Sequence, residues 1–196
     1  EKCLSVAESV IEVVPENTEQ HDICLFVIGG SYFYLGRFDE AGPEIDKHIE
    51  AYPESKLIMH SRYYQASNHT RMQNWAEAAE LLDKFFEDYP DPGQNVYTSI
   101  ALYDRANCYF AESEYEPALV VLQRLEDEFP QSSMIDLAYS MRGNIHESMQ
   151  DFDDAENYYK RALEVAEQRE NDSVAGEALS YLVGMLATQK GPDKNN

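Results

Sequence analysis

The chain has 196 residues, 43% of them hydrophobic, with 37 Asp and Glu against 15 Lys and Arg and a formal net charge of −22. That apolar content can bury a core, whereas the acidic balance argues against nucleic acid, whose binding needs a basic footprint, and no apolar run reaches the length of a membrane-spanning helix. Three cysteines, Cys3, Cys24 and Cys108, form no CxxC pair; their odd number excludes a full disulfide framework and reads them as buried thiols.

Residues 1–15 read as a helix, with Cys3, Ala7, Val10 and Val14 at helical spacing and Pro15 as its stop. The same spacing returns down the chain. It gives Ala41, Ile45, His48, Tyr52 and Pro53, then Ala78, Leu82, Phe85, Tyr89 and Pro90. Next come Ala118, Leu122, Leu125, Phe129 and Pro130. A fourth copy runs Ala155, Tyr159, Ala162 and Ala166, with Glu167 in the proline slot. The prolines lie 37 and 40 residues apart, so these are internal repeats.

Twelve residues before each alanine sits a small residue, Gly29, Ala66, Ala106 or Gly143, with a ring three further on: Tyr32, His69, Tyr109 or His146. This half of each unit is also helical. The turns "LGRFDEA", "MQNWAEA", "ESEYEPA" and "MQDFDDA" place acids at the start of the second helix, where the helix dipole favours them. The expected order is a partial second helix at 1–15 and repeats at 21–55, 58–92, 97–132 and 135–168. A further first helix follows at 173–189, with Gly184 in the small slot, and then a flexible tail at 190–196. Pro43 fits poorly, falling inside an expected helix, where it would kink it or delay its start.

Stretches such as "LYDRANCYFAESEYEPALVVLQRLEDEFPQS" resemble tetratricopeptide repeats, through Ala106, Tyr109, Ala118 and Pro130 and likewise Gly29, Tyr32, Ala41 and Pro53. The intervals exceed the family's 34 residues, so loops or helix ends are longer here. The endings "YPES", "YPDP" and "FPQS" are similar to those of bacterial envelope members, of the outer-membrane assembly lipoprotein and Tol–Pal-associated types. The resemblance implies an all-α, right-handed superhelix of antiparallel helix pairs. Its first helices would line a concave groove that binds protein or peptide without catalysis or cofactor.

In that frame Phe26, Tyr63, Tyr103, Ser140 and Tyr181 occupy one groove-facing slot, so four of five units present a ring. Phe33, Thr70, Phe110 and Glu147 occupy another, with Tyr34 and Arg71 next along. Asn107 and Asn144 follow the small residue, where a side-chain amide could pair with a peptide unit or serve as an inter-helix strut. The expected partner-binding set is Phe26, Phe33, Tyr34, Tyr63, Arg71, Tyr103, Asn107, Phe110, Asn144 and Tyr181. Arg71 is the main cation there, too little for clamping a carboxylate, and Arg105 and Arg142 are expected to pair with acids on adjacent helices.

No HExxH, Gly-rich phosphate loop or GxSxG elbow is present, and the histidines offer no metal spacing. His69 and His146 read as satisfied core imidazoles, and the acids of "DFDDAENYYKRA" as a helix start rather than a calcium loop. Two rival readings stay open: self-association through exposed terminal repeats, and a regulatory arm of a larger protein acting through acidic second helices on the convex side. A chain beginning at Glu1 reads as processed or excised, so a lost lipid anchor is the one membrane route left open. Bacterial periplasm or cell envelope is the expected location, with cytoplasm as the alternative.

Overall fold

Among the described residues, 1–90 and 96–189 of a computed structural model, the backbone forms ten α-helices and no strand. They are α1 Lys2–Ile11, α2 Glu19–Tyr34, α3 Phe38–Ala51, α4 Ile58–Arg71, α5 Trp75–Asp88, α6 Val96–Ala111, α7 Tyr115–Glu128, α8 Ile135–Ser148, α9 Phe152–Gln168 and α10 Asp172–Gln189. The expected tail at 190–196 and the final two residues of the 58–92 repeat lie outside the described residues. The helices fall into two compact units, Glu1–Tyr97 and the residues from Thr98 onward.

The aromatic–proline pairs stop helices as their chemistry requires. Tyr52, Tyr89 and Phe129 cap α3, α5 and α7 with ψ of 59°, 66° and 53°, outside the helical region, because a following proline crowds the helical conformation. Each still donates its N–H four residues back, to His48, Phe85 and Leu125. α9, where Glu167 replaces proline, runs 17 residues against 14 for the other three. Pro43 does not delay α3, which starts at Phe38.

Each helix pair closes on the small slot. In the first unit, a Cβ on Gly29 would lie 2.9 Å from Ile45 Cγ1 on α3. In the second, a Cβ on Gly143 would overlap the Tyr159 ring on α9. Ala66 and Ala106 fill the same slot where the second helix offers Leu82 or Leu122 instead. All four of these alanines and leucines are completely buried. A β-branched or aromatic partner therefore goes with glycine, and leucine goes with alanine.

The turn after each first helix uses one left-handed residue: Gly36, Gln73, Ser113 and Gln150, with φ of 73°, 61°, 61° and 64°. Only Gly36 adopts this conformation without a Cβ penalty.

In the first unit α1 packs on α2, α2 on α3, α3 on α4 and α4 on α5; in the second α7 packs on α8, α8 on α9 and α9 on α10. First helices also touch each other, α2 with α4 and α8 with α10. That side of each unit is the inner one.

His48, the polar substitution on the α3 face, is fully buried; its Nε2 lies 2.6 Å from Asp22 Oδ1 and its Nδ1 2.9 Å from Ser61 Oγ. The order Ser–His–Asp invites a catalytic reading, but Ser61 is itself buried, so the chain of bonds ties α2, α3 and α4 together. Cys24 and Cys108 are buried as expected, whereas Cys3 is exposed, because it lies on the open side of α1.

Candidate functional site

The inner face of the first unit is a packed aromatic cluster. Tyr64 of α4 is its hub. Its ring stacks on Phe26 at 5.9 Å and 25°, lies 5.3 Å from Phe33 and meets Tyr97 edge-on at 6.0 Å. The Tyr64 hydroxyl is 3.0 Å from that of Tyr34. Burial, then the hydrogen bonds with Tyr34 and Tyr97, push the Tyr64 phenol far above its ordinary value.

Tyr63, expected to face the groove, is instead only 4% exposed and packs on Phe85 and Tyr97. The correction has a simple geometric cause. Tyr63 and Tyr64 are adjacent, about 100° apart around the helix, and both are buried: Tyr64 packs on the rings of α2 and Tyr63 on Phe85 of α5. Phe26 and Phe33 are half-buried in the cluster, Tyr34 is 74% exposed, and Arg71 is exposed in the last turn of α4. Tyr64 and Tyr97 were not in the expected set; the doubled Tyr-Tyr at 63–64 was the signal for the first.

The inner face of the second unit is built differently. α6, α8 and α10 enclose a pocket of about 90 Å³. Tyr103, Asn107 and Phe110 line it from α6, and Asn144 from α8. α10 contributes Tyr181, so five residues of the expected set converge on one place. Leu137, Ser140 and Met141 from α8 and Glu177 from α10 complete the wall.

The pocket lies where Ser140 holds the slot that carries a ring in the other units. A hydroxymethyl leaves the space that a phenol would fill. Ser140 is 5% exposed, and its Oγ is buried with no hydrogen-bond partner. Such an unpaired group is uncommon in a native interior.

Asn144 is partly a strut. The Tyr159 hydroxyl lies 2.7 Å from Asn144 Oδ1 and 2.7 Å from Glu147 Oε2, and donates to one at a time. Burial, then the bond to Glu147 and its charge, hold the Tyr159 phenol far above its usual range. Tyr181 stacks on Tyr159 at 5.6 Å and donates to Glu177 Oε1 at 3.1 Å. Its phenol is also raised, by burial first, then by the charge and hydrogen bond of Glu177, with a smaller contribution from Glu147. Two carboxylates therefore act on this end of the pocket.

The arginines of the second unit are engaged elsewhere. Arg142 lies 2.5 Å from Glu126 on α7, as expected, and also bonds Gln123 and Leu119 O. Arg105 stacks on Tyr109 and donates to its hydroxyl at 2.9 Å.

His69 and His146 depart from the satisfied imidazoles that were expected. Each has a buried Nδ1 without a hydrogen bond, although the Asp151 carboxylate stands 3.5 Å from that of His146. His146 stacks on Tyr158 at 5.2 Å, and its ring shares a 4.8 Å neighbourhood with Asp151 and Asp154. Both acids are exposed in the turn and first turn of α9, where the helix N-terminus offsets their charge.

No sequence among curated proteins matches this chain. Solved structures share its fold at low identity. MamA matches at 20% identity and TM-score 0.66, over 85% of this chain and 88% of MamA. The apo form of RapI gives TM-score 0.78 at 14% identity, over 97% of this chain and 55% of RapI. Bacillus thuringiensis PlcR, in complex with the peptide PapR7 and DNA, gives TM-score 0.72 at 12% identity, over 90% of this chain and 67% of PlcR. The models of the tetratricopeptide repeat match residues 60–92, 100–132 and 137–168, together half of the sequence. With its helix pairs, small slots and aromatic–proline stops, this chain belongs to the tetratricopeptide repeat family.

Proposed function

We propose that this protein is a non-catalytic interaction scaffold that holds an extended protein or peptide segment on the inner face of its first helices, anchored at the pocket of the second unit. The observation that carries this is the convergence of Tyr103, Asn107, Phe110, Asn144 and Tyr181 around the unpaired Ser140 hydroxyl. Aromatic rings give contact area at little entropic cost, and the amides and hydroxyl can pair with a peptide backbone that would otherwise lose its water. PlcR was solved holding a peptide and DNA. For this chain the peptide half of that precedent fits, while a net charge of −22 opposes the DNA half.

The test is selection of random decapeptides displayed on phage against the immobilised protein, repeated with a Tyr103→Ala, Asn107→Ala double variant. Peptides chosen by the wild type should lose about 2 kcal/mol of affinity on the variant, with far-UV circular dichroism unchanged. No selected peptide, or equal binding to the variant, would overturn the reading.

A second reading has its own observation. α1 and α2 form an apolar cleft of about 490 Å³ walled by Val6, Val10, Ile23 and Val27, with Val6 60% exposed. Exposed apolar area of this kind favours self-association, and light scattering that gives a monomer at tens of micromolar would remove it. Binding of a basic partner to the acidic second helices is distinguished by salt, since exposed charges are screened beyond roughly 10 Å at 0.1 M. The bacterial cell-envelope placement, of the assembly-lipoprotein or Tol–Pal-associated type, rests on the "YPES" and "FPQS" endings; fractionation of the source cells tests it.

A further inference from the structure

The second-unit pocket has a chemical bias. It has room for about three waters' worth of liquid volume, enough for one side-chain head group. Around that space are one carboxylate, Glu177, the Ser140 hydroxyl and amides that can donate or accept, and the Tyr103 and Tyr181 rings, with aliphatic side chains from α8. No Lys or Arg lines the pocket. Of the cations nearest in sequence, Arg142 pairs with Glu126 on α7 and Arg105 lies on the Tyr109 ring. Glu147 stands beside Asn144, accepting from Tyr159. A carboxylate or phosphate entering here would meet two acids and no counter-charge. An apolar head would leave the buried Ser140 Oγ unpaired.

We propose that the pocket takes the guanidinium of an arginine side chain carried by the bound segment, a specificity that rests on the groove reading above. A guanidinium is planar and always charged, and it carries five donors. It can donate to Ser140 and Glu177 while lying against a tyrosine face, an arrangement favoured both by charge and by the ring quadrupole. Electrostatic complementarity of this kind selects partners more than it adds raw affinity. The anchor side chain therefore decides which segments dock, and the rest of the inner face holds their backbone.

The experiment uses the full chain, isotope-labelled, with the side-chain amide signals of Asn107 and Asn144 as reporters. Two capped nonapeptides serve as probes, identical except for a central arginine or norleucine among Gly, Ala and Ser. The arginine peptide should shift both reporters, bind about three- to fivefold more weakly to Glu177→Gln, and fail to bind Ser140→Tyr, which restores the ring found at this slot in other units. Gln keeps an acceptor for Tyr181, so Glu177→Gln carries the test if Ser140→Tyr does not fold. Norleucine shifting the same reporters with equal or greater affinity overturns the arginine assignment and leaves the groove intact. Neither peptide moving them overturns both. Arginine-dependent shifts scattered over the acidic surface and unchanged in Glu177→Gln mean charge attraction without a site, and overturn the proposal too.

Discussion

The two units place aromatic residues on the same inner face to opposite ends. In the first, Phe26, Phe33 and Tyr34 close on Tyr64, so their rings satisfy one another and stiffen the stack. In the second, Ser140 interrupts the series and Tyr103 and Tyr181 line a pocket instead. Tyr64 fills the slot that Met141 holds in the second unit, and Ser140 holds the slot before it, so differences in two neighbouring slots separate a face that packs on itself from one that can receive a ligand. A groove position in a repeat protein is defined by its neighbours across the stack as much as by its own identity.

The contrast breaks most sharply at Tyr64. Replacing it with Ala removes the hub of five ring contacts and should cost about 3 kcal/mol or more, read from urea unfolding. Tyr103→Ala in the second unit should cost about 1 kcal/mol or less of stability while weakening peptide binding measurably. Equal stability losses would show that both faces are structural.

Next in size is Gly143→Ala. The added methyl overlaps the Tyr159 ring, which is fully buried and cannot swing away, so a loss of about 2 kcal/mol is expected. Pairing it with Tyr159→Leu recreates the Ala106–Leu122 combination and should recover part of that loss. No recovery would refute the size matching between the paired helices.

Alkaline pH treats the units alike. The Tyr64 and Tyr159 phenols are raised above their unfolded value near 10. Their contribution is therefore complete below that value and is lost as pH rises above it, because the unfolded chain releases those protons first. Unfolding should set in above about pH 10, with tyrosinate absorbance rising together with loss of helicity. Tyr64→Phe or Tyr159→Phe should make this alkaline decline shallower.

The smallest effect lies in the turns. Gln150 holds a left-handed conformation that Gly36 adopts in the first unit. Gln150→Gly should raise stability by about 0.5–1 kcal/mol, measured by thermal unfolding with ligand binding unchanged.

Much of this was legible because the repeat wrote it several times. Alanines at a fixed offset from aromatic–proline pairs marked the second helices, and the glycine or alanine twelve residues earlier marked the first. Those signals are local: proline ends a helix through its own covalent geometry, and a small residue permits close approach whatever the neighbour. The sequence also placed Tyr103, Asn107, Phe110, Asn144 and Tyr181 on one inner face. It ranked Tyr63 as their equal, because a helical offset carries an uncertainty of one residue and an adjacent pair of tyrosines satisfies either choice. Ser140 appeared only as a missing ring.

Periodicity, composition and covalent stops determined the helices, their pairing and their acidic character, since each depends on residues close in the chain. Which rings pack on one another, that a serine at a ring slot lines a pocket, and that Tyr159 reaches both Asn144 and Glu147 were decided by tertiary structure. Those outcomes depend on how helices as far apart as α6 and α10, with sixty residues of chain between them, stand against each other, and no local rule sets that distance.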